Sequence, residues 1–114
     1  MHNEPLTYSF VPGKREGTTI LKLSGPLTLF TMFGFQDELR ASQAEVLIMD
    51  LTETPYMDSA GLGLIMNSYV SAQDHGRKFL LAGVNERVLA MLEMTRVRGV
   101  LTNFPTVDAA EASL

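Results

Sequence analysis

Apolar and polar positions change their spacing several times along the chain, and each change marks an element. Leu6 to Val11 and Thr18 to Leu23 are short, rich in apolar and β-branched residues, and flank Pro12-Gly13-Lys14-Arg15-Glu16-Gly17, a stretch of turn composition. They predict a hairpin. After Gly25-Pro26, apolar residues at Met32, Phe35 and Leu39 fall three and four apart behind Thr28, a good N-cap type, which predicts an amphipathic helix over Thr28 to Ala41. Val46-Leu47-Ile48-Met49 is a continuous apolar run ending at Asp50, the pattern of a central strand covered on both faces. Leu62, Ile65, Met66, Tyr69 and Val70 predict a helix over Gly61 to Asp74 that stops near Gly76. Phe79 to Ala82 reads as a buried strand and Val88 to Met94 as a helix behind Asn85-Glu86. Val100 and Leu101 suggest a last strand, and Thr106 to Ala112 a helix after Pro105. A hairpin followed by alternating helix and strand is the pattern of an α/β domain with a mixed β-sheet and about four helices.

Composition narrows the class. At 114 residues and 46% hydrophobic content, the chain is expected to form one domain spanning 1–114 around one packed core. Nine Lys+Arg against 13 Asp+Glu give a net charge of -4, without the basic patch that nucleic-acid phosphates require. The absence of cysteine removes disulfides, thiolate metal sites and cysteine nucleophiles. No stretch approaches the ~18 uninterrupted apolar residues of a membrane span, and no leader pattern opens the chain, so no membrane insertion is expected and the cytoplasm is the expected compartment.

The most informative stretch runs from Met49 to Gly63: a buried strand leads into Tyr56-Met57-Asp58-Ser59-Ala60-Gly61-Leu62-Gly63, and a helix leads out. Asp58 and Ser59 are both strong N-cap types, and the two glycines permit close backbone approach at the helix start. A hydroxyl is therefore expected beside unpaired helical N–H groups, where the positive end of the helix dipole tolerates an anion such as a phosphate. Taken alone, the pair reads more readily as a plain helix cap, since a short motif match is weak evidence.

The run Asp58-Ser59-Ala60-Gly61-Leu62-Gly63, with the strand ending in Asp50-Leu51 before it, resembles the signature of STAS domains, and more narrowly that of bacterial anti-sigma factor antagonists. Leu23-Ser24-Gly25-Pro26-Leu27 resembles the family's second strand and turn, and Leu92 to Phe104 its closing segment. The resemblance implies the STAS fold and a regulatory binding protein rather than an enzyme. It further implies that Ser59 is phosphorylated by an anti-sigma factor that is also a serine kinase, that a serine phosphatase reverses this, and that the unphosphorylated form binds the anti-sigma factor. Asp58, Gly61, Leu62, Gly63 and Thr28 are then expected near the docking surface. Where many relatives carry Gly-Glu-Leu-Asp, this chain has Gly25-Pro26-Leu27-Thr28, so both acids of that turn are absent. That departure keeps a second expectation open: a constitutive STAS subunit of a larger assembly, such as an ABC lipid-transport complex or a stress-signalling scaffold.

Other constellations add little. His2 and His75 are expected at the surface, so neither a Ser-His-acid triad nor a histidine metal site is indicated, and with no base to activate it Ser59 is not expected to be a catalytic nucleophile. Gly61-Leu62-Gly63 lacks the Gly-Lys-Ser/Thr of a phosphate loop, and no cofactor is expected. At 100° per residue Phe30 lies almost opposite the stripe of Met32, Phe35 and Leu39, so Phe30 and Phe33 are either covered by flanking segments or form part of a docking patch near Ser59. Met49, Met57, Met66, Met91 and Met94 read as core filler. Arg87, Arg96 and Arg98, Asp37-Glu38 and Asp108 to Glu111 read as solvated faces.

Overall fold

A computed structural model describes residues 4–95 and 100–114. Five strands form one sheet in the order β1-β2-β3-β4-β5: β1 (Thr7–Pro12), β2 (Thr18–Ser24), β3 (Val46–Glu53), β4 (Lys78–Ala82) and β5 (Asn103–Phe104). The hairpin pair β1 and β2 is antiparallel, with Tyr8 opposite Leu23, and every later pair is parallel. Parallel neighbours need crossovers, which are supplied by α1 (Phe35–Ala41), α2 (Ser59–Asp74) and α3 (Glu86–Met94). A last helix, α4 (Val107–Ala112), follows β5.

The period of two in the strands assigns the faces. Leu21 and Leu23 of β2, Leu47, Met49 and Leu51 of β3, and Phe79 and Leu81 of β4 point to one side, where they pack with Phe35, Leu39, Leu62, Ile65, Val88 and Leu92 from α1, α2 and α3. Ile20, Ile48 and Ala82 point to the other side and meet Ala110 of α4. The apolar run at Val46–Met49 therefore does lie in a strand covered on both faces, and that strand continues to Glu53.

Three elements differ from expectation. The first helix begins at Phe35 rather than Thr28, because Gly34 takes φ 82°, a left-handed conformation that interrupts a right-handed helix. Thr28 instead closes a tight turn: its carbonyl accepts from the Thr31 and Met32 N–H groups, and its hydroxyl accepts from the Phe30 N–H at 3.2 Å. The last strand pairs through Asn103–Phe104, not Val100-Leu101. Its ladder is set by the Leu81 N–H donating to Thr102 O and the Gly83 N–H to Phe104 O, while Leu101 is buried in the main core and Val100 is exposed. In α2 the buried positions are Gly61, Leu62, Leu64 and Ile65, and Val70 is exposed.

Met49 and Met57 are core residues, and Met66 and Met91 pack against the core. Met94 is exposed, because six residues at 100° each put it about 240° from Val88, on the outer face of α3. Glu111 is not on a solvated face: it is 6% exposed, and its Oε2 accepts the Lys14 and Arg15 N–H groups at 2.7 and 3.2 Å. With Lys14 Nζ 3.3 Å from Asp108 Oδ1, it ties α4 to the hairpin turn. His2, Arg96, Arg98 and part of the closing segment lie outside the described residues.

Candidate functional site

β2 and β3 run parallel, so the loops that leave their C-terminal ends emerge side by side. Leu27 joins the two loops through a single bridge to Met57. Its N–H donates to Tyr56 O at 3.1 Å, and its carbonyl accepts from the Asp58 N–H at 3.2 Å. The Leu27 side chain is fully buried beneath this bridge.

Asp58 is the N-cap of α2. Its Oδ1 accepts the Gly61 N–H at 2.9 Å, while Oδ2 reaches across to the Leu29 N–H at 3.0 Å. One carboxylate thus satisfies an orphan donor of the helix and anchors the neighbouring loop. Gly61 sits where a Cβ would lie 2.3 Å from Leu27 O, so the two loops close only because this residue has no side chain. Gly63 is different: nothing lies within 4 Å of its Cβ position, and close packing does not explain it.

With Asp58 occupying the cap, Ser59 is the first residue of the 16-residue helix and is exposed. Gly63 is four residues on and exposed on the same face, so bare helix backbone flanks the serine. Thr28 is half-buried in the adjoining turn. Beyond it Leu29, Phe30 and Phe33 are exposed, at 86% for Phe30 and 69% for Phe33. The aromatic rings owe that exposure to the tight turn and to Gly34, not to a polar helix face. Leu62, by contrast, is buried under the loop and supports the surface without forming it.

Three participants were not assigned to this site from the sequence. Leu29 is held by its backbone to Asp58. Asn85, the cap of α3, also donates from Nδ2 to Pro55 O at 3.0 Å and to Thr54 O at 3.3 Å, bracing the β3–α2 loop. Arg87 lies with its guanidinium carbon 4.9 Å from the Tyr56 ring centroid, a cation–π contact on the other flank of the loop. The cap itself was legible at Asn85; a tie across 30 residues leaves no local mark. Among the described residues no cluster of three or more His, Cys, Asp or Glu is placed to hold a metal ion. His75 is an exposed C-cap of α2 far along the helix from Ser59.

The sequence model of the STAS domain matches residues 11–110. The chain belongs to the STAS domain family. An anti-sigma-B factor antagonist of Listeria monocytogenes is 27% identical over 92 residues, 81% of this chain and 73% of that protein. The solved structure of an anti-sigma factor antagonist from Mycobacterium paratuberculosis superposes with a TM-score of 0.83 at 17% identity, covering 95% of this chain and 92% of that one. The Bacillus cell fate determinant SpoIIAA in its phosphorylated form gives a TM-score of 0.74 at 14% identity, covering 94% and 98%. This STAS domain thus shares with them a fold of one mixed sheet and four helices, and no helix among the described residues is long and apolar enough to cross a membrane.

Proposed function

We infer that this STAS domain is an anti-sigma factor antagonist: it binds an anti-sigma factor through the face around the start of α2, and phosphorylation of Ser59 by that partner's serine kinase activity releases it. The observation that carries this reading is the exposed Ser59 at the first position of α2, next to Asp58, whose carboxylate holds the Leu29 N–H of the turn that exposes Phe30 and Phe33. Relatives named anti-sigma factor antagonists and a structural relative solved in phosphorylated form support it.

The physical sequence is short. Asp58, not Ser59, caps the helix, so the serine hydroxyl is free to accept a phosphoryl group without costing the fold a hydrogen bond. The new phosphate stands at the positive end of α2, where dipole and backbone donors accommodate negative charge. The domain need not rearrange. The partner meets an added charge of about -1.5 to -2 at an apolar contact. Like charges brought together across an interface cost several kcal/mol, and about 1.4 kcal/mol is already tenfold in affinity. Dephosphorylation by a serine phosphatase restores binding. The chain is a binding protein and kinase substrate here, acting in the cytoplasm; nucleotide chemistry belongs to the partner.

A constitutive assembly subunit is favoured by one observation, the Pro26 and Thr28 that replace the acids of the β2–α1 turn, with Pro26 buried. The two readings separate in one experiment. The purified domain, or its Ser59→Ala variant, is incubated with ATP and the kinase-like anti-sigma factor encoded in the same genome, and phosphopeptides are mapped. Phosphate on Ser59 and none on the variant is the expected result. An unmodified Ser59 in a domain that still copurifies with transporter or scaffold subunits would establish the constitutive role.

A further inference from the structure

A concavity lies toward the other end of α2, centred near Ser68, nine residues and about 13 Å of helix from Ser59. It is a cavity of about 190 Å³ between α1, α2 and the starts of β3 and β4. Its floor is apolar, formed by Leu39, Leu47, Leu64 and Phe79, all buried. It opens to solvent, and a depression of this depth between neighbouring helices needs a cause. The cause is local. α1 is only seven residues long, and α2 places Ser68, one turn beyond the buried Leu64, where a large apolar residue would fill the gap. The Ser68 hydroxyl is occupied by Leu64 O at 2.9 Å.

The mouth has a sign. Arg40 and Arg77 line it, and no Asp or Glu does, although the chain as a whole carries a net charge of -4; Lys78 borders it by its backbone, its position in β4 alternating with Phe79 and facing the α4 side of the sheet with Val46. Arg40 meets Asp37 at 3.6 Å on an exposed surface, where such a pair holds weakly. Arg77 donates to Ser42 O at 3.4 Å and has no carboxylate within 4 Å among the described residues. Two guanidinium groups beside an apolar floor match a ligand with an acidic head and a short hydrocarbon body, the combination of a few placed polar groups and a greasy lining that small-molecule sites use.

We propose that this cavity binds a small amphiphilic anion, its acidic head held by Arg40 and Arg77 and its apolar body lying on Leu39, Leu64 and Phe79. A carboxylate and a phosphate monoester share that chemistry. The site is separate from the Ser59 face and does not depend on the function proposed for it.

The test is titration of the ¹⁵N-labelled full chain with hexanoate, hexyl phosphate and hexan-1-ol, followed by amide chemical shifts. At least one anion is expected to move the Ser68, Ser71 and Phe79 amides saturably, with hexan-1-ol at least tenfold weaker; the stronger of the two anions identifies the head group. Arg77→Gln should weaken that binding about tenfold, Ser68→Leu should abolish it by filling the cavity, and Lys22→Gln, on the opposite face of the sheet, should leave it unchanged. If Arg77→Gln disturbs the dispersed spectrum, the exposed Arg40→Gln serves in its place. No saturable shift at those amides with either anion, an equal response to hexan-1-ol, or binding indifferent to both arginine substitutions would overturn the proposal.

Discussion

Asp58 holds two loops with one side chain, and Gly61 lets them meet. Asp58→Ala removes the cap and the anchor of Leu29 together, and should lower unfolding free energy by about 1–2 kcal/mol in urea denaturation. Gly61→Ala pushes a methyl group into Leu27 O, and the loops must part to admit it. A loss of about 1–3 kcal/mol is expected by the same measurement. Gly63 supplies the contrast. Its Cβ position is open, so Gly63→Leu should leave stability unchanged or raise it by up to about 1 kcal/mol through helix propensity. The same leucine stands over the flank of Ser59 and should weaken capture of the anti-sigma factor at least tenfold in a pull-down or calorimetric titration. Undiminished binding by a stably folded Gly63→Leu protein would move the docking face elsewhere. Residue type offered both Asp58 and Ser59 as caps, and the structure assigns the cap to Asp58. The unequal roles of the two glycines were not, because only Leu27, 34 positions away, distinguishes them.

At the scale of elements, the segment 28–34 matters most. Its apolar residues fit a helical stripe, and Met32, Phe35 and Leu39 do pack inward, yet Gly34 delays the helix by seven residues and leaves the first part as a turn. The consequence is exposure: Phe30 and Phe33 stand clear of the core in the turn that Leu29 ties to Asp58. Replacing both by serine should change stability by no more than about 0.5 kcal/mol, as at other surface sites, while weakening partner binding. At the other end of the chain α4 is short and brings only Ala110 and the partly buried Val107 to the apolar layer on its side of the sheet. Its attachment relies on the buried Glu111 and the turn after β1. Glu111→Ala removes two charge-assisted hydrogen bonds and should cost about 1–3 kcal/mol, read as a lower urea midpoint. The sequence places Asp108 to Glu111 on a polar helix face by pattern. A carboxylate serving the backbone of a turn 97 residues away carries no periodic signature.

For the whole molecule, the sheet is a platform with unequal covers, three helices on one side and one on the other, and the Ser59 face lies where two parallel strands end. A charge placed there lies at the surface, where the proposed partner meets it, and not in the core. Ser59→Asp is therefore expected to shift the thermal midpoint by less than about 3 °C while reducing anti-sigma factor binding. A large fall in midpoint with binding retained would assign Ser59 to the fold instead.

Local rules were enough for much of this protein. Period-two and period-3.6 patterns, turn residues and cap residues depend on neighbours within four positions, and they marked the hairpin, the central strand, α2 and the cap at its start without reference to the rest of the chain. The family signature around Ser59 was equally local. What the tertiary structure alone decided depends on pairs far apart in the chain: the bridge from Leu27 to Met57, the pairing of β5 at Asn103–Phe104, the burial of Glu111, and the cavity left where α1 ends. These follow from which surfaces meet when the strands align, and alignment is a property of the assembled sheet, with no residue along the chain recording it by itself.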